Sequence, residues 1–167
     1  MNSRLFSSAL IVLALLASGV ATAEQFIVPA RVPAPDSQYV AEADFNGDGI
    51  PDLASWGYDN FQQQSVLNIL LGNGDGTFSQ GQQITFSNGA GAAGIVTGDW
   101  NDDGVPDMVL LEATLLWVYV GNGDGTFTQT SINDIGNGFP HSLIAGDLNG
   151  DGIGDLIAAN QTGSSVT

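Results

Sequence analysis

Asp44-Phe-Asn-Gly-Asp-Gly-Ile-Pro-Asp52 decides how this chain is read, because the pattern returns twice. The later copies are Asp99-Trp-Asn-Asp-Asp-Gly-Val-Pro-Asp107 and Asp147-Leu-Asn-Gly-Asp-Gly-Ile-Gly-Asp155. Each is D-x-N-x-D-G-x-x-D. Three carboxylates and an amide oxygen within nine residues are costly to gather unless a cation neutralises them. Oxygen-only donors select a hard ion, and loops of this flexibility favour Ca2+ over Mg2+. Three copies make the metal part of the architecture.

Side chains at positions 1, 3, 5 and 9 of each loop are the expected ligands, joined by the backbone carbonyl of position 7. The first site is Asp44, Asn46, Asp48 and Asp52 with Ile50. The second is Asp99, Asn101, Asp103 and Asp107 with Val105. The third is Asp147, Asn149, Asp151 and Asp155 with Ile153. Gly49, Gly104 and Gly152 occupy position 6, where the chain turns sharply. Position 2 is apolar each time (Phe45, Trp100, Leu148), which fits a loop clamped onto a core. An EF-hand shares the first six positions but needs a bidentate Glu at position 12 and flanking helices. Position 12 here is Ser55, Leu110 or Ala158, and the flanks are strand-like. Plain polar turns would not repeat Asp at the same ninth position three times.

A second motif lies between the loops. Gly72-Asn-Gly-Asp-Gly-Thr-Phe78 is identical to Gly121-Asn-Gly-Asp-Gly-Thr-Phe127. The acidic loops are 55 and 48 residues apart, and the extra length falls around Gly57–Gln64, expected to be a longer surface loop. Short runs rich in β-branched and aromatic residues separate the motifs, bounded by Gly, Asn and Asp, which are strand signals. Examples are Tyr39–Ala43, Leu53–Trp56, Ser65–Leu71 and Leu115–Val120. No apolar period of 3.6 residues runs for a helical length beyond the N-terminal stretch. Each repeat therefore reads as a small antiparallel sheet of four strands. The acidic loop joins the first strand to the second, and the Gly-Asn-Gly-Asp-Gly hairpin joins the third to the fourth. Periods of this length point to propeller blades.

The sequence resembles the FG-GAP and VCBS-like repeats of integrin-type β-propellers. The acidic loops, followed by Leu53, Met108 and Leu156, and the Gly-Asn-Gly-Asp-Gly-Thr-Phe motifs carry the resemblance over most of residues 26–160. It implies a blade-like all-β fold with Ca2+ in the hairpin loops, in secreted or surface proteins that bind proteins or glycans. The expected architecture is about two and a half antiparallel four-stranded blades, an open or incomplete β-propeller. Blade 1 covers about 39–87, blade 2 about 94–133 and a partial blade 3 about 142–167. Residues 25–29 are a lone outer strand. Propellers normally have four to eight blades, so the sequence reads as a truncated piece of a larger array.

Composition narrows the function. Arg4, the apolar run Leu5–Val20 and the small residues Ala21-Thr-Ala23 form a secretory signal over residues 1–23. The run is shorter than the roughly 20 residues needed to span a bilayer. The remaining region, 24–167, is expected in a secreted, periplasmic or cell-surface setting, with no membrane insertion. The chain has 18 acidic residues against two basic ones, a net charge of -16. That excludes nucleic acid and anionic membranes as partners, since both need cationic side chains. It has no cysteine, so metal would take over the role disulfides play in exported domains.

The catalytic inventory is thin, with one histidine, His141, and no lysine or cysteine beyond it. No nucleophile-elbow motif lies near His141, and the chain is read as non-enzymatic. The expected function is a secreted calcium-binding repeat module for protein or glycan binding or adhesion, with about three Ca2+ sites. Tyr58, Phe61 and Phe139 are its candidate contact aromatics. The alternative is a non-catalytic structural fragment of a larger propeller-containing extracellular protein or enzyme. Open blade edges would also allow self-association.

Overall fold

The computed structural model describes residues 37–87, 91–136 and 140–160. The signal stretch, the lone strand at 25–29, Phe139 and residues 161–167 lie outside them. The described residues form ten strands and no helix. β1 (Ser37–Ala43), β2 (Asp52–Asp59), β3 (Gln64–Gly72) and β4 (Phe78–Ser87) make one antiparallel sheet in that order. β5 (Ala92–Gly98), β6 (Asp107–Glu112), β7 (Leu115–Gly121) and β8 (Phe127–Asp134) make a second sheet of the same order. β9 (Pro140–Gly146) and β10 (Asp155–Asn160) pair as the start of a third. None closes into a barrel. The fold is all-β, with the meander expected of an incomplete propeller.

Sequence periodicity explains which faces are buried. In a strand, alternate side chains point to opposite faces. Met108 and Leu110 on β6 belong to the apolar cluster shared with the first sheet, which includes Phe45, Trp56, Leu67 and Ile69. Val109 and Leu111 on the other face of β6 join Leu143 and Ala158 of the third sheet. Every residue of β6 is consequently buried. That is why this strand reads as a continuous apolar run, as strands covered on both faces do. β8, the outer strand, is buried at Phe127 and mostly exposed beyond it.

Edge-to-face aromatic contacts stitch the first two sheets together. The ring centroid of Phe86 lies 5.0 Å from Trp117 and Phe45 lies 5.1 Å from Phe127, both across the boundary, while Trp56 supports Phe86 from within the first sheet at 4.9 Å. Such pairs contribute about 0.5–1.5 kcal/mol each beyond their buried area. Burial, reinforced by the charge of Glu112, pushes the Tyr119 hydroxyl up to about 12. Ser65 donates to Glu112 at 2.5 Å across the same boundary.

The expected long loop around Gly57–Gln64 is corrected. β2 and β3 run on through most of it and pair Tyr58 with Ser65 and Asp59 with Gln64. Only Asn60–Gln63 is turn. Against the second sheet, β2 and β3 are each two residues longer and the turn is two residues longer. The insertion is mainly an extension of a hairpin, because its polar side chains can line a solvent-facing strand as readily as a loop.

In the Gly-Asn-Gly-Asp-Gly hairpins, Thr77 and Thr126 donate both backbone N–H and hydroxyl to Asp75 and Asp124. Hydroxyl donation first, then the backbone N–H, holds both carboxyl groups below their ordinary 3.8. A depressed native value gives stability that is present above the unfolded value and lost as pH falls through the native one. We expect carboxyl-carbon NMR titrations of Asp75 and Asp124 to have midpoints below 3.8. Thr77→Val and Thr126→Val should move each midpoint up; unchanged midpoints would refute the cause. A steric contrast gives a second test. A Cβ on Gly121 would stand 2.3 Å from the Pro106 carbonyl oxygen, whereas one on Gly146 meets nothing. Gly121→Ala should cost about 1–3 kcal/mol in urea unfolding, and Gly146→Ala should be near neutral.

Candidate metal centres

Each acidic loop links two strands, β1 to β2, β5 to β6 and β9 to β10. Its nine residues fold around the carboxylate at position 1. Asp44 Oδ1 accepts the N–H groups of Gly47 (2.8 Å) and Asp48 (3.2 Å), and Oδ2 accepts that of Gly49 (2.8 Å). Asp99 takes the N–H groups of Asp103 and Gly104, and Asp147 those of Gly150 and Gly152. The Gly152 bond first and the Gly150 bond second hold Asp147 below the usual carboxylate value. Position 4 needs a positive φ in all three loops. Gly47 and Gly150 supply it, and Asp102 adopts it at 59°. Aspartate is one of the few side chains that tolerates this region, so the second loop keeps its shape without the glycine.

Positions 3 and 5 sit beside one another. Asn46 Oδ1 accepts the Asp48 N–H at 3.0 Å, and Asn46 Nδ2 donates to Asp48 Oδ2 at 2.9 Å. The same pair of bonds joins Asn101 to Asp103 and Asn149 to Asp151. The position 5 carboxylate also accepts the N–H of position 7, at Ile50, Val105 and Ile153. Positions 1, 3 and 5 thus share one hydrogen-bonded turn, mostly open to solvent.

Position 9 differs. Asp52 and Asp107 are buried at the start of β2 and β6. Asp52 Oδ2 accepts the Phe45 N–H (2.9 Å), and Oδ1 accepts the Gly72 N–H (2.7 Å). Asp107 does the same for Trp100 and Gly121, and Asp155 accepts the Leu148 N–H. One carboxylate therefore ties the acidic loop to the end of the third strand. Position 7 reinforces that tie through its side chain. Cβ atoms on Gly72 and Gly74 would stand 2.8 and 3.2 Å from the Ile50 side chain, and Val105 faces Gly121 and Gly123 likewise. The sequence reading assigned position 7 only a carbonyl; its recurrent β-branched apolar character (Ile, Val, Ile) was the available signal for packing.

A hard cation suits the chemistry of these donors. Each carboxylate offers about four lone-pair sites, and the backbone N–H groups occupy only some of them. The loops do not, however, arrive as finished cages. Among the described residues, no three carboxylate or imidazole groups stand together closely enough to hold an ion. Each carboxylate at positions 1, 5 and 9 accepts at least one backbone N–H.

Three other candidate residues can be placed. Phe61 is almost fully exposed at the tip of the β2–β3 turn, while Tyr58 is half-buried and its hydroxyl donates to Gln63. His141 is exposed on β9 and lines a cavity of about 250 Å3 with Tyr39, Ala93, Ala113 and Pro140.

A residue the sequence reading missed joins the first two sheets. β4 pairs with β3 through an irregularity between Gln80 and Gln83. There Gln82 reaches the next sheet, accepting the Phe127 N–H at 2.8 Å and donating to the Phe127 carbonyl at 3.3 Å. Nothing in a lone glutamine among other glutamines marks it, since bulge and partner are set by pairing.

No curated protein sequence matches the chain. The FG-GAP-like repeat family matches twice, over residues 44–110 and 103–158. Both matches begin at or within an acidic loop and continue past the next one, in step with the repeat of the sheets. The chain belongs to the FG-GAP-like repeat family.

Proposed function

We propose that this repeat module works outside the cytoplasm as a calcium-dependent, non-catalytic binding module for an extracellular protein or glycan. The supporting observation is the threefold recurrence of one oxygen-rich turn, with the same hydrogen bonds between positions 3 and 5, from position 6 to position 1 and from position 7 to position 5 in each copy. Asp44, Asn46 and Asp48 would hold the ion in the first loop, with the Ile50 carbonyl and Asp52. Asp99, Asn101, Asp103, Val105 and Asp107 would do so in the second. Asp147, Asn149, Asp151, Ile153 and Asp155 would do so in the third. Bound Ca2+ would neutralise charge that the chain's -16 leaves uncompensated. The chain's own residues do the rest: the position 9 aspartate transmits the loop's order to the third strand, and the blades hold the exposed turns in fixed array. The N-terminal apolar stretch supports export. Phe61, at the tip of an otherwise polar turn, is the favoured contact residue, because rigid scaffolds present recognition groups on exposed loops.

Calorimetry should find about three Ca2+ per chain. Asp48→Ala, Asp103→Ala and Asp151→Ala should each remove one equivalent, and unchanged stoichiometry would refute the ligand assignment. Extracellular sites of this kind bind at about 10^-4 to 10^-3 M, and each adds about 2.7 kcal/mol at hundredfold saturation. EDTA should accordingly lower Tm sharply, with recovery on Ca2+ and little on Mg2+. The position 9 clamp separates from metal binding by comparison in EDTA. Asp107→Asn would set an amide NH2 against a backbone donor and should still cost about 1–3 kcal/mol, while Asp103→Ala should cost much less. A chelator-sensitive glycan or protein capture that is lost in Phe61→Ser would support the binding role.

A further inference from the structure

We propose, resting on the calcium reading above, that Trp100 of the second acidic loop is a positioning residue for the third cation site, which it restrains through the Gly154 carbonyl. The three loops differ at position 8. Pro51 and Pro106 occupy it in the first two, and Gly154 occupies it in the third. Proline locks its own φ, whereas glycine is the freest residue of all. Position 8 lies between the position 7 carbonyl and the position 9 carboxylate, two of the expected donors. The third loop therefore lacks a backbone constraint where two donors have to be aligned. Site rigidity is one of the properties that set the affinity of oxygen-donor calcium loops, so a missing constraint weakens a site unless something else supplies it.

Trp100 supplies it from the neighbouring loop. Its Nε1–H donates to the Gly154 carbonyl at 2.7 Å. Of the three position 2 side chains, Phe45, Trp100 and Leu148, only the indole has a donor to give. Glycine makes room for the ring on two sides. A Cβ on Gly154 would stand 3.1 Å from Trp100 Nε1, and one on Gly98 would stand 3.1 Å from the six-membered ring. The residue that frees the backbone at position 8 thus also admits the ring that restrains it. The indole is itself anchored. The Trp100 backbone N–H donates to Asp107 Oδ2 at 3.0 Å, and the side chain packs on the cluster that contains Val109, Leu111, Leu143 and Ala158. The first loop makes a different contact. Phe45 packs on Phe127, and its carbonyl accepts the Gly125 N–H at 2.9 Å. Both partners lie at the β7–β8 hairpin, not in the second acidic loop. Among the described residues, direct restraint of one cation loop by another is therefore confined to the second and third. A carbonyl already held in place leaves less chain to be ordered when an ion binds.

The test is a Ca2+ titration of the full chain followed by the amide NMR signals of Gly49, Gly104 and Gly152. Each of these N–H groups donates to the position 1 carboxylate of its own loop, so each reads one site. Trp100→Phe keeps an aromatic ring and removes the N–H. The midpoint at Gly152 should rise about 3- to 10-fold, while that at Gly49 stays where it is. An unmoved Gly152 midpoint would overturn the proposal. So would a shift of all three by one factor, which is the mark of a general loss of stability. Should none of the three signals respond to Ca2+, the calcium reading itself fails and the positioning role falls with it. Wild type provides a second measurement that does not depend on how well Trp100→Phe folds. Coupling between a contact and a binding site is reciprocal, so Ca2+ should slow hydrogen exchange of the Trp100 indole N–H. Asp151→Ala should reduce that slowing and Asp48→Ala should leave it intact. The same slowing in Asp151→Ala as in wild type would overturn the link to the third loop.

Discussion

The structure depends on a carboxylate at the ninth position of the acidic loops, buried in the first two. Asp52 and Asp107 stand out of water at the mouth of a second strand, and each bridges two backbone N–H groups from segments that sequence separates. Burying a carboxylate is costly unless hydrogen bonds satisfy it. Here both oxygens are engaged, by the residue after the loop's first aspartate and by the glycine ending the third strand. The acidic loop and the outer hairpin therefore form one unit, and Ile50 or Val105 fills the gap where glycine leaves room.

From that unit the sheets assemble by repeating a single contact. A position 2 side chain crosses to the neighbouring sheet, with Gln82 and the edge-to-face rings around Phe86 adding polar and aromatic ties between the first two. Because the second sheet meets a neighbour on each face, it has no solvated side along β6. The packing is directional: the position 2 side chains of the first two loops each reach onto the following sheet.

Much of this was legible in the residues. The identical hairpins fixed the repeat, and short β-branched runs marked strands that the structure extends by a few residues. Positions 1, 3 and 5 lie on one turn, since a nine-residue loop with a glycine at position 6 brings them together. Position 9 was legible as an acid but not as a clamp, because its backbone partners, Gly72 and Gly121, lie 20 and 14 residues away. The Gly57–Gln64 insertion was misread as a loop because polar composition does not distinguish an exposed strand from a turn.

The sequence by itself determined the repeat, the all-β class, the acidic turns and the apolar identity of the residues that leave each loop. Those properties are local: they follow from side-chain chemistry and from spacings of a few residues. The tertiary structure decided which aspartates face solvent and which clamp the backbone, that Gln82 crosses between sheets, and that Phe45 is covered while Leu148 is not. Each of those depends on what a neighbouring sheet places opposite a residue, and strands 45 to 82 residues apart meet only after the chain has folded.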